Sequence, residues 1–207
     1  DGNNYARQAL DKGALCAVVE RESEFGRRVM EAKFSSKYEN EVDRDRLKRY
    51  LLVDSPLRAL QVLAKWHRGA FRIPIIALTG TNGKTTTKEL IRAVLSKRYR
   101  VVATEGNLNN SIGVPLTLFN ISLSTQIAII EMGASHPGDI KELVEIACPN
   151  HGLITNIGRA HLQGFGSYEG VKSTKGELYD YLEGHSGVVF LDVDNPELFE
   201  MVDSRPM

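Results

Sequence analysis

"LTGTNGKTTT", residues 78–87, decides the fold. Gly80 and Gly83 permit positive φ and let backbone N–H groups approach an anion closely. Lys84 can reach the β- and γ-phosphates of a nucleotide, and the Thr85 hydroxyl can sit on Mg²⁺. The preceding "IPIIALT" (73–79) reads as an apolar strand. The following "KTTTKELIRAVLSK" (84–97) reads as a helix packed on a sheet through Leu90, Ile91, Val94 and Leu95. A phosphate loop requires this strand–loop–helix setting, with the helix N-terminus directed at the phosphates. One position departs from the general pattern G-x-x-x-x-G-K-[ST], which has glycine where this chain has Leu78.

Beyond the loop, strands and helices alternate. "RVVAT", "QIAIIE", "GLITNI" and "GVVFL" read as strands; "PLTLF", "GDIKELVEIA" and the segment holding Lys175 read as helices. The fold class expected is α/β, a mostly parallel sheet of phosphate-loop type covered by helices. Upstream, residues 4–12 suggest a helix, 15–19 a buried strand and "RYLLVD" (49–54) a second strand, which together make a small, incomplete α/β unit. Ser55-Pro56 opens a helix, "PLRALQVLAKWHRGAF", with Leu57, Leu60, Leu63 and Ala64 as its inner face. The domain boundary is therefore expected near Ser55. The chain begins at Asp1 and ends at "FEMVDSRPM" without a closing element, which reads as a piece of a longer protein.

Composition narrows the function classes. Lys plus Arg and Asp plus Glu are equal at 26 each, so no global field favours nucleic acid or an anionic membrane. The basic run Lys97, Arg98, Arg100 falls at a helix end, where it complements the helix dipole. No apolar run approaches the ~20 residues of a membrane span. Cys16 and Cys148 fit no metal or redox spacing and suit two buried thiols in a reducing cytoplasm.

Other strand ends carry chemistry as well. Glu131, where an apolar strand emerges beside the phosphate loop, can hold Mg²⁺ directly or through water; a solvated acid is the plainer reading. Ser135 and His136 are neighbours that should point apart, with no nucleophile-elbow spacing around them, so a serine hydrolase is not expected. His161, just past a strand end, is either a metal ligand or a solvated loop residue. His67, His151 and His185 carry only structural readings. Asn107, Asn109 and Asn110 crowd one loop, as turn residues or as amide donors to phosphate or a carboxylate. Val171, Lys175, Leu178 and Leu182 share one helix face, which puts an amine in an apolar stripe. Such a lysine has a depressed pKa. Lys175 is then a general base, a Schiff-base former or a CO₂ acceptor giving a carbamate that a second Mg²⁺ would stabilise; alternatively it snorkels to water.

"TGTNGKTTT" resembles the phosphate loop of the Mur ligases, which also lack the first glycine. "GNLNNSIGVPLTL" (106–118), "EMGASHPGDI" (131–140) and "GRAHLQGFGSYEGVKSTKGEL" (158–178) together look most like the MurF type, and "DGNNYARQALDKGALCAVVE" (1–20) is similar to part of that family's N-terminal domain. The phosphate loop alone is shared with folylpolyglutamate synthases and other Mur ligases. The resemblance implies residues 1–55 as part of a UDP-substrate-binding domain and 56–207 as part of the central ATP-binding domain, with the C-terminal domain absent. It implies an ATP-dependent amide ligase of peptidoglycan precursor synthesis, joining D-Ala-D-Ala to UDP-MurNAc-tripeptide through an acyl phosphate. By carry-over, Gly80, Thr81, Asn82, Gly83, Lys84, Thr85, Thr86 and Asn109 would bind ATP phosphates, and Asn109 and Asn110 the acyl substrate. Thr85 and Glu131 would hold one Mg²⁺, His161 and carbamylated Lys175 a second. The resemblance further implies a bacterial, cytoplasmic monomer without nucleic-acid or membrane partners, whose 207-residue piece should not ligate alone. Another Mur ligase or a folylpolyglutamate synthase-like ligase, a phosphate-loop hydrolase or kinase, and a nucleotide-binding scaffold without catalysis are the competing readings.

Overall fold

The computed structural model describes residues 2–35, 41–159 and 162–205. The chain divides into two compact units, Asp1–Leu60 and Gln61–Met207. The division falls inside α4 (Pro56–Gly69), a few residues beyond Ser55.

In the first unit a 3₁₀ turn leads into α1 (Ala6–Asp11), then β1 (Ala17–Glu20), α2 (Glu24–Phe34), α3 (Glu41–Lys48) and β2 (Tyr50–Val53). The two strands pair in parallel, Ala17 opposite Tyr50 and Glu20 opposite Val53. Val19, Val29, Leu10 and Tyr50 form the small core. The first strand starts two residues later than the apolar pattern predicts. Leu15 and Cys16 are left exposed, so Cys16 is not a buried thiol. Cys148 is half-buried, at a left-handed position (φ +45°) that ends a helix of the second unit.

The second unit is built on five parallel strands in the order β4-β5-β3-β6-β7. They are β3 (Ile75–Thr79), β4 (Val101–Ala103), β5 (Ile127–Glu131), β6 (His151–Ile154) and β7 (Val188–Val189). The helices between them are α5 (Lys84–Leu95), α6 (Gly113–Phe119), α7 (Asp139–Ala147), α8 (Leu162–Phe165) and α9 (Tyr168–Gly184); α10 (Pro196–Asp203) follows the last strand. Strands β3 and β5 are buried along their whole length, and their continuous apolar runs reflect a sheet covered on both faces. Ile75, Ala77, Ala128 and Ile130 turn to one face, where α4, α6, α7, α9 and α10 form the main core. Leu78, Ile129 and Ala103 turn to the other, against Ile91 and Leu95 of α5.

The helical patterns are corrected in two places. On α4 the buried residues are Gln61 and Ala64, while Leu57 and Leu63 are exposed. Gln61 is drawn inward because its amide donates to Glu142 Oε1 and the Ser111 carbonyl. On α5 only Ile91 and Leu95 pack on the sheet. Leu90 and Val94 are exposed and border an apolar groove of about 480 Å³ over Ile76, Leu153 and Phe190. The closing segment also holds an element the apolar pattern did not suggest. Asn195 Oδ1 accepts the N–H groups of Glu197 and Leu198, Pro196 starts α10, and Leu198 and Met201 are buried. Among the described residues no helix is long and apolar enough to cross a membrane.

Candidate active site at the strand ends

Parallel strands deliver their carboxyl ends to one edge of a sheet, and three adjacent strands do so here. Leu78 of β3 lies opposite Glu131, the last residue of β5, and Thr79 lies opposite Ile154, the last residue of β6. Strand β3 sits between them, where the strand order reverses direction. Open parallel sheets bind ligands at such a point.

The loop after β3 bends through Gly80 (φ +146°) and Gly83 (φ +76°). A Cβ at residue 80 would lie 1.9 Å from Thr155 Oγ1, so the close approach also requires glycine. The end of β6 pins the loop. Thr155 Oγ1 and Asn156 Nδ2 donate to the Asn82 carbonyl at 2.7 and 2.9 Å. The Asn82 N–H donates to Asn156 Oδ1, and the Thr81 N–H donates to the Asn156 carbonyl, both at 3.0 Å. The loop thus holds its shape through protein contacts, which lowers the ordering cost of binding a ligand. The apolar run "GLITNI" places Thr155 and Asn156 inside a strand, but β6 ends at Ile154 and leaves both beside the loop.

Lys84 Nζ folds back to donate to the carbonyls of Gly80 (2.8 Å) and Thr81 (3.3 Å). Burial lowers its pKa, and the charge of Glu131 works in the opposite direction. Thr85 and Thr86 are on the first turn of α5, both exposed. Glu131 is 2% exposed. Its Oε1 accepts from Asn109 Nδ2 at 2.9 Å and from Thr85 Oγ1 at 3.3 Å. Its Oε2 is buried and has no hydrogen-bond partner among the described residues. A solvated acid is therefore excluded. The Glu131 carboxylate, whose Oε1 faces Thr85, and the Thr85 hydroxyl are hard oxygen donors that fit Mg²⁺. Among the described residues no three His, Cys, Asp or Glu side chains converge as a metal cage. A cation held by Thr85 and Glu131 would take its remaining ligands from phosphate and water, as Mg²⁺ commonly does.

Lys175 is 3% exposed and its stripe partners Val171, Leu178 and Leu182 are fully buried, so the side chain does not snorkel. It makes no ion pair among the described residues, and Nζ lies 5.9 Å from the centroid of the Phe165 ring. Burial, and then the charge of Lys84, lowers its pKa to about 8. Lys175 and Lys84 line one cavity of about 430 Å³ with Gly80, Thr81, Asn109 and Asn110. Asn109 thus faces the cavity and also braces Glu131. Asn110 Oδ1 accepts the N–H groups of Ile112 and Gly113 in the turn that starts α6, leaving its Nδ2 for a ligand. His161 lies outside the described residues.

Ser135 and His136 do meet, with Oγ 3.1 Å from Nδ1, although neighbouring side chains were expected to point apart. Asp139 Oδ2 accepts both of their backbone N–H groups, which fixes the turn that leads into α7. The carboxylate is spent on the backbone rather than on orienting the imidazole, and a triad needs the latter. Lys88 is a second buried lysine, 1% exposed, one turn along α5 from Lys84. Counting from it reaches Ile91 and Leu95, so the periodicity that singles out Lys175 would have found Lys88 too.

A family model described as the Mur ligase middle domain matches residues 78–206. The chain belongs to the Mur ligase family. Among relatives of this Mur ligase chain, the UDP-N-acetylmuramoyl-tripeptide–D-alanyl-D-alanine ligase of Bacillus subtilis is 38% identical over 198 residues, covering 96% of this chain and 39% of the relative. MurF from Acinetobacter baumannii superposes with a TM-score of 0.77 at 31% identity, over 99% of this chain and 41% of that one. MurF ligase from Thermotoga maritima, solved in complex with ADP, gives 0.71 at 34% identity, over 87% and 38%. The chain spans about two fifths of the length of these relatives.

Proposed function

We propose that the whole protein is an ATP-dependent amide ligase of the MurF type, joining D-Ala-D-Ala to UDP-MurNAc-tripeptide in the bacterial cytoplasm, and that it acts as a monomer. The observation that carries this reading is one cavity lined by the glycine-rich loop with Lys84, by the buried amine of Lys175 and by Asn109, whose amide donates to the buried Glu131 carboxylate that also accepts the Thr85 hydroxyl. The relatives' names supply the substrates. Residues 1–55 would belong to the UDP-substrate domain and 56–207 to the ATP domain.

In this reading the loop 80–86 cradles the ATP phosphates, and Lys84 leaves its loop carbonyls for the phosphoryl group. Thr85 and Glu131 would hold one Mg²⁺, and His161 with carbamylated Lys175 a second. Bound Mg²⁺ would neutralise charge on the phosphate oxygens. Asn109 and Asn110 position the tripeptide carboxylate, whose oxygen attacks the γ-phosphorus and releases ADP. The D-Ala-D-Ala amine then adds to the acyl carbon, and phosphate leaves with that carboxylate oxygen. Positioning and charge neutralisation are the main protein contributions to such a transfer. A buried lysine whose pKa is lowered to about 8 has a larger uncharged fraction near neutral pH than an ordinary lysine, which supports the carbamate, because only the uncharged amine adds CO₂.

ADP release by the whole protein, followed with ATP, Mg²⁺ and UDP-MurNAc-tripeptide, tests the proposal. Sustained turnover is expected only when D-Ala-D-Ala is also present. Turnover indifferent to both acceptor substrates would identify a phosphate-loop hydrolase instead.

A further inference from the structure

Burying an ammonium costs several kcal/mol unless it is paired. Lys88 and Glu131 are both almost fully buried, one on α5 and the other at the end of β5. Lys88 Nζ donates to the Thr104 carbonyl at 2.6 Å and lies 3.2 Å from Glu89 Oε1 and 3.8 Å from Glu131 Oε2. Thr104 serves both groups, since its Oγ1 accepts the Glu131 N–H at 2.9 Å.

The two oxygens of Glu131 are thereby employed differently. Oε1 takes the Asn109 amide and the Thr85 hydroxyl, on the side of the phosphate loop. Oε2 has no hydrogen bond among the described residues, and Lys88 is its ion-pair partner there. The helix that presents Lys84 and Thr85 to the phosphates therefore also carries, one turn later, the cation facing the back of the carboxylate.

We propose that Lys88 is a positioning residue for Glu131. Its buried ammonium holds the Oε2 side of the carboxylate so that the Oε1 side stays turned toward Thr85 and the phosphate loop. The inference rests on the reading of Glu131 as a Mg²⁺ holder. Lys88 touches neither nucleotide nor substrate; it acts through Glu131, and groups that orient a metal ligand typically carry 10–100-fold in metal affinity.

The test is calorimetric ADP binding to the whole protein, with and without Mg²⁺, for the wild type, Lys88→Gln and Lys88→Met, beside their melting temperatures. Lys88→Gln keeps an amide to donate toward Thr104 but removes the charge, and it carries the test if Lys88→Met fails to fold. The affinity gained on adding Mg²⁺ is expected to fall by about tenfold or more, while metal-free ADP binding stays within about twofold. A full Mg²⁺ gain in Lys88→Gln overturns the inference and leaves the reading of Glu131 intact. Equal loss of metal-free and Mg²⁺-dependent binding, or failure of both variants to fold, also overturns it, because Lys88 would then only hold α5 in place. Absence of any Mg²⁺ gain in the wild type removes the reading of Glu131 and this inference with it.

Discussion

Lys84→Ala in the whole protein is expected to slow ADP release by at least about a hundredfold, with a melting temperature close to that of the wild type. The two effects separate because Lys84 does little to hold the loop it belongs to. Its ammonium rests on the Gly80 and Thr81 carbonyls, but Thr155 and Asn156 supply the contacts that fix Thr81 and Asn82. Removing the ammonium therefore leaves a shaped loop that has lost its cation for the transferring phosphoryl group. Thermal melting alongside steady-state rates checks both halves. Near-normal turnover in a folded Lys84→Ala protein would mean that the phosphates do not lie in this loop.

Lys175→Met is expected to cut turnover by a comparable factor, about a hundredfold or more, while raising the melting temperature near pH 7. The sign follows from burial. In the folded protein the Lys175 pKa falls to about 8 from the ordinary lysine value. Below pH 8 the wild type therefore carries a buried ammonium whose cost the unfolded chain does not bear. Above pH 8 the folded protein has released this proton and the unfolded chain has not, so wild-type stability rises with pH until the unfolded lysine also titrates. Methionine keeps the stripe with Val171, Leu178 and Leu182 and removes the cost. Its advantage, measured in CO₂-free buffer, is greatest near pH 7 and shrinks as pH climbs past 8. With ¹³C-bicarbonate, a carbamate carbon resonance is expected in the wild type and absent in Lys175→Met. An apolar variant that is more stable and inactive would mark Lys175 as a residue kept for chemistry at a cost in stability. Full activity in Lys175→Met would return it to a packing role.

The parts of the site that a local pattern can encode were legible in the sequence. Glycine, lysine and threonine at fixed spacing after an apolar strand marked the candidate loop, and the carboxylate closing "QIAIIE" marked Glu131, which the structure brings to the adjacent strand end. Helical counting found Lys175, which the structure buries as counted. What stayed hidden depends on contacts between segments distant in sequence. Thr155 and Asn156 look like two more residues of a strand, because alternation does not show where a strand leaves its sheet. Gln61 is buried on α4 because it bonds Ser111 and Glu142, which come from other segments, and the apolar count alone does not show that Leu57 and Leu63 are exposed. On α5 the apolar residues outnumber the places the sheet offers, leaving Leu90 and Val94 exposed. Helix α3 gives only a weak apolar signal, since six of its eight residues are charged.

The central claim is that this site activates a carboxylate by phosphorylating it. Isotope transfer tests that most directly. The whole protein would be given UDP-MurNAc-tripeptide with ¹⁸O in the reacting carboxylate, together with ATP, Mg²⁺ and D-Ala-D-Ala, and the released phosphate examined by mass spectrometry. The account predicts that one carboxylate oxygen appears in the phosphate for each amide formed. Phosphate that takes its new oxygen from water, with both labels left on the tripeptide, would contradict it and point to nucleotide hydrolysis.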